Sequence, residues 1–135
     1  MPAPCEFLIV DDHLDNRFLL TKTLIRKYPT ALVQECQDSQ AALTAVSRDT
    51  LTAAIVHCAA DMPGTELIEL MRNANLLLPI LYVSAEDNRN KGFRAGATAF
   101  LIYDAWLRVG TVVEDMLRVV KTTPPFADPT NAPMA

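Results

Sequence analysis

Short apolar runs rich in β-branched residues alternate along this chain with longer segments whose apolar positions recur at helical spacing. Residues 7–10 (FLIV), 31–36 (ALVQEC), 53–58 (AAIVHC), 79–84 (PILYVS) and 99–103 (AFLIY) read as strands. After the first strand, residues 15–28 repeat apolar side chains at Phe18, Leu19, Leu24 and Ile25, which predicts a helix with one buried stripe. Pro29 ends it. Ser39 predicts the cap of a short helix within 39–48, and residues 64–74 place Leu67, Leu70 and Met71 on one helical face. Residues 86–96 form the weakest helical pattern, opposed by Gly92 and the asparagines, whereas 105–121 carries Trp106, Val109, Val113, Met116 and Val120 at helical spacing. Beyond them the stretch TTPPFADPTNAPMA is proline-rich and lacks periodicity. Residues 122–135 are therefore expected to be a disordered tail or linker stub, leaving 1–121 as the folded domain.

Strands that alternate with helices through short connections predict an α/β fold: a doubly wound, five-stranded parallel sheet with helices on both faces. In such folds ligands bind beyond the carboxyl ends of the strands. That rule directs attention to residues 11–13, 57–64, 84–87 and 103–105.

Composition narrows the classes of function. A chain of 135 residues with 50% hydrophobic content can build one sizeable core. The net charge of -4, with Lys and Arg scattered, argues against a nucleic-acid footprint. No basic region precedes a long apolar run, so neither a secretory signal nor a membrane span is expected, and the cytoplasm is the expected location. Cys5, Cys36 and Cys58 form no C-x-x-C pair, so no disulfide framework or structural zinc site is expected, and Cys36 and Cys58 read as buried small hydrophobes. The usual nucleotide-binding and hydrolase signatures are absent from the sequence.

The candidate chemistry starts at Asp11 and Asp12, directly after the first strand. Two like charges about 4 Å apart cost roughly 4 kcal/mol at an effective dielectric near 20, so such a pair suits a divalent metal or a proton. The alternative is a solvated turn in which Asp12 caps the first helix. His13 reads as a solvated loop residue.

Residues 8–24 (LIVDDHLDNRFLLTKTL), 79–85 (PILYVSA) and 95–106 (AGATAFLIYDAW) together resemble the receiver domain of two-component response regulators. The resemblance spans residues 6–121 and implies a flavodoxin-like sheet of strand order 2-1-3-4-5. It implies that Asp11 and Asp12 are the acidic pair that holds magnesium, that Ser84 is the switch hydroxyl and that Phe100 is the switch aromatic. It also exposes two departures. The phosphoacceptor aspartate is replaced by His57, or by Val56 if the alignment runs back from Gly64, and Tyr103 stands where the family has a lysine, followed by Asp104. The implied function is a degenerate receiver, or pseudo-receiver, that binds proteins without aspartyl phosphorylation and is no enzyme.

Its implied partners are a histidine kinase, an output protein or a second copy, met through helix 4, strand 5 and helix 5, with no membrane or nucleic acid. A homodimer is one such assembly, and Trp106 is either its interface anchor or packing beneath Tyr103. No cofactor is required, although Asp11 and Asp12 would hold magnesium weakly or take a transition metal. Two alternatives stand beside this reading: a receiver phosphorylated through Asp61 or His57, and a small metal-dependent enzyme using Asp11, Asp12 and His57. A half-buried His57 hydrogen-bonded to Asp11 or Asp12 is the structural expectation.

Overall fold

The computed structural model describes residues 4–122. The tail expected from residue 122 lies outside them, apart from Thr122 at the end of the last helix. The strands are β1 (Glu6–Val10), β2 (Leu32–Cys36), β3 (Ala53–Val56), β4 (Ile80–Ser84) and β5 (Ala99–Ile102). The helices are α1 (Leu14–Lys27), α2 (Ser39–Val46), α3 (Gly64–Ala74), α4 (Arg89–Ala95) and α5 (Val109–Thr122), with a 3-10 segment at Tyr103–Arg108 before α5. All strand pairs are parallel, as the alternating pattern predicts, and the sheet order is β2-β1-β3-β4-β5, as the resemblance implies.

Side chains alternate across a strand, and the two cores divide accordingly. Phe7 and Ile9 of β1, Ala53 and Ile55 of β3, and Leu81 and Val83 of β4 pack with Leu20, Leu24, Val109, Val113 and Met116 from α1 and α5. Leu8, Val10, Ala54, Val56, Ile80 and Tyr82 pack on the other face with α2, α3 and Ala95 of α4. β3 is buried on both faces throughout, which is why it reads as an unbroken apolar run. Each fully buried Leu or Ile contributes about 1.5–3 kcal/mol, so these two layers fix the sheet register and with it the site at the strand ends.

Several helix faces differ from the expected ones. α1 buries Leu20, Thr23 and Leu24, while Phe18 and Ile25 are exposed. Thr23 is tolerated inside because its hydroxyl donates to the Leu19 carbonyl, and Phe18 stays outside beneath the Lys22 ammonium. α3 buries Ile68 beside Leu67 and Met71 and exposes Leu70. Asp38, not Ser39, caps α2, its carboxylate accepting from the Ala41 amide at 2.9 Å. α4 forms despite Gly92 because that glycine lets the helix lie on Tyr82: a Cβ there would be 2.4 Å from the ring. Val120 is exposed near the end of α5.

The strands also stop earlier than their apolar runs. β3 ends at Val56 and β5 at Ile102, which releases His57, Cys58 and Tyr103 from the sheet. The Tyr103–Arg108 segment forms the 3-10 turn, with a kink at Ala105, where a single helix from residue 105 is expected.

Candidate functional site

The parallel register builds the site. Val10 is paired with Val56, so continuing both chains by one residue sets Asp11 beside His57, and by two sets Asp12 beside Cys58. The His57 amide donates to the Val10 carbonyl and the Asp11 amide to the Cys36 carbonyl, which carries the strand alignment past its formal end. Of the two residues at the uncertain register position, Val56 is buried in the core and His57 turns to the acidic pair. Gly64 secures this turn. Its backbone approaches so closely that a Cβ would stand 2.0 Å from the His57 carbonyl oxygen.

Asp11 is fully buried. Its Oδ1 accepts from the His13 amide at 3.0 Å and lies 3.5 Å from Asn16 Nδ2, and its Oδ2 is 2.9 Å from His57 Nδ1. Arg17 Nη1 donates to the Asp11 carbonyl at 2.7 Å and its Nε lies 3.4 Å from Glu35. The hydrogen bond to Asp11 and then that to Cys58 push the His57 pKa up to about 10, against the opposing effect of burial. His57 is an imidazolium near neutral pH. It supplies the positive charge a buried carboxylate requires.

Asp12 is the more open member of the pair. Its Oδ1 accepts from the Cys58 thiol at 3.0 Å and lies 2.7 Å from His13 Nδ1. The Cys58 thiol first, and then His13, hold its carboxyl below the ordinary carboxylate range against some desolvation. Asp12 does not cap α1; His13 occupies that position without a side-chain cap. His13 is 68% exposed, so the expectation of solvent exposure holds, but its ring nitrogen meets the Asp12 carboxylate rather than standing bare in the loop. Cys58 is no buried hydrophobe; it is half-buried and committed to Asp12, whereas Cys36 is buried as expected.

Tyr103 joins the same end of the sheet. Its ring centroid lies 5.2 Å from that of His57, and its hydroxyl is buried with no hydrogen-bond partner among the described residues. Burial, and then the charge of Asp11, push this phenol up to about 12, so it is a neutral donor where a lysine would be a cation. Asp61 points elsewhere. Its carboxylate accepts from the Ser39 amide at 3.0 Å and from the Ser39 hydroxyl, which lower its pKa.

Ser84 and Phe100 are not in this constellation. The Ser84 hydroxyl accepts from the Glu86 amide and Asn88 Nδ2, both at 3.2 Å, organising the loop into α4. Phe100 is paired with Tyr82 in the sheet, meets its ring at 5.8 Å and lies under the Arg89 guanidinium. Trp106 is half-buried against the core of the α1 and α5 face, which favours packing over an exposed anchor.

Residues 7–103 match the family described as the response regulator receiver domain. The chain belongs to that family. Receiver structures similar to it include a response regulator from Chloroflexus aurantiacus, 24% identical with a TM-score of 0.76 over 86% of this chain and 99% of that one. The receiver domain of NarL from Mycobacterium tuberculosis is 23% identical, with a TM-score of 0.74 over 87% and 98% of the two chains. NtrX from Brucella abortus is 21% identical with a TM-score of 0.73, over 89% of this chain but only 28% of that much longer protein. No curated protein matches the sequence. Receiver domains interact with signalling proteins such as kinases and output domains. Among the described residues no helix is long and apolar enough to cross a membrane.

The family implies magnesium at the acidic pair, and the residues present do not fit it. Magnesium takes about six oxygen ligands in near-octahedral geometry. In this receiver both Asp11 oxygens are already engaged, and a nitrogen base and a thiol face the pair where an oxygen ligand would be needed.

Proposed function

We propose that this receiver is a pseudo-receiver: a protein-interaction module of a two-component or phosphorelay system that works without aspartyl phosphorylation. The observation that carries the reading is His57, the first residue after β3, with its Nδ1 2.9 Å from Asp11 Oδ2. An imidazolium paired to a buried carboxylate offers no free lone pair for attack on a phosphodonor. Asp61 is held toward α2 by Ser39 and is poorly placed as a substitute acceptor. Tyr103 brings no charge to a transferred phosphoryl group, which would normally be stabilised by a cation. The module therefore acts by contact in the cytoplasm rather than by catalysis.

Its docking face is proposed to be α4, β5 and α5. α4 exposes Phe93, and Arg89 lies over Phe100 of β5. With no phosphate to favour either of two arrangements, the Ser84 and Phe100 elements rest in one state and binding is constitutive.

The test is incubation of the full chain with magnesium and acetyl phosphate, followed by intact mass spectrometry. An unmodified mass is expected. A stoichiometric, hydroxylamine-labile phosphate adduct would overturn the reading.

A further inference from the structure

We propose that the donor cluster beyond the carboxyl ends of β1 and β3 binds a borderline transition-metal ion of the zinc or cobalt class, through Asp11, His57 and Cys58, with Asp12 alongside. The donor atoms of Asp11, His57 and Cys58 all lie within 4.8 Å of one another, and Asp12 Oδ1 is 3.0 Å from the Cys58 sulfur. The set thus combines carboxylate oxygen, imidazole nitrogen and thiol sulfur on the residues that directly follow two paired strands. Three donors of this mixture, with a fourth position left to water or Asp12, suit tetrahedral zinc or cobalt, whereas magnesium selects against nitrogen and sulfur.

Two features of the surroundings support it. Asn16 and the His13 amide hold Asp11 from behind, as partners around a ligating carboxylate do. The Tyr103 ring lies 5.2 Å from the His57 ring, and its buried hydroxyl has no hydrogen-bond partner among the described residues. Coordination replaces two hydrogens now shared inside the cluster, one between His57 and Asp11 and one between Cys58 and Asp12. Both leave as protons, and the ion takes over the charge compensation of Asp11. The inference rests on the donor geometry alone and does not depend on whether phosphotransfer occurs.

Cobalt(II) titration of the reduced full-length chain reads this directly. One equivalent is expected to give a thiolate-to-cobalt charge-transfer band, together with the intense visible absorption of a tetrahedral site. Zinc should abolish both signals, and a large excess of magnesium should not. Cys58→Ser should remove the charge-transfer band and weaken binding by more than roughly tenfold, the scale at which even outer-shell changes act. Cys36→Ser and Cys5→Ser should leave the band intact. On the unaltered protein, zinc should slow alkylation of Cys58 and not that of Cys5, which keeps the test valid if a variant fails to fold. A cobalt spectrum without the thiolate band, or one retained in Cys58→Ser, would overturn the proposal, as would zinc that leaves Cys58 alkylation unchanged.

Discussion

His57 is the residue on which the behaviour of this receiver turns. Its folded pKa of about 10 stands above the unfolded value near 6.5, because Asp11 and then Cys58 stabilise the charged ring, with the Tyr103 ring tilted beside it. Such a group contributes its full stability below the unfolded pKa and loses it as pH climbs through the folded one. In the presence of a chelator, urea unfolding between about pH 6 and pH 10 should therefore show stability falling across the window, a fall that His57→Asn removes. NMR titration giving His57 a pKa below 6.5 would contradict this account. His57→Ala leaves Asp11 buried without its cation and should cost about 3–5 kcal/mol. His57→Asp crowds three carboxylates together; its melting temperature should fall in chelator and recover on adding magnesium, because three carboxylates then supply the oxygen ligands that the imidazole could not.

At the scale of elements, the loop from β3 into α3 positions the site, and the cap of α2 stands apart from it. Gly64→Ala forces a methyl onto the His57 carbonyl, where only 2.0 Å is available, so the backbone must move. A loss of about 2 kcal/mol or more is expected by denaturant unfolding, together with a changed His57 resonance. Asp38→Ala removes the carboxylate that accepts from Ala41 and should cost about 1 kcal/mol with the His57 resonance unmoved. Ser39→Ala should be no substitute for that variant, since Ser39 serves the Asp61 loop instead. Equal losses for the two serine and aspartate variants would show that the cap has been assigned to the wrong residue.

For the whole molecule, the proposed docking face and the core make opposite demands on the aromatic residues. Phe93 is 45% exposed on α4, so Phe93→Asp should leave stability nearly unchanged and reduce self-association or partner capture, measured by ultracentrifugation with and without acetyl phosphate. Trp106 packs against the α1 and α5 core, so Trp106→Ala should instead cost about 2 kcal/mol while leaving association of the folded protein unaltered. Assembly that requires the phosphodonor would refute constitutive binding.

The alternation of β-branched runs with helical periodicity determined the five parallel strands, the five helices and the site at the carboxyl end of the sheet. Those features are local, because each follows from which face a short segment must bury. The same pattern misassigned Phe18, Ile25 and Leu70, since apolar spacing does not say which of two adjacent stripes meets the sheet. The sequence carried Asp11, Asp12, His57 and Tyr103 as site positions, but not Cys58 or Asn16 as their partners. Only the register of Val10 with Val56 pairs Asp11 with His57 and Asp12 with Cys58, and register is a property of two distant strands. Side-chain alternation beyond that register was the signal that would have found Cys58. The charge of His57 was likewise decided by tertiary structure, because a histidine becomes a lasting cation only where folding buries a carboxylate against it.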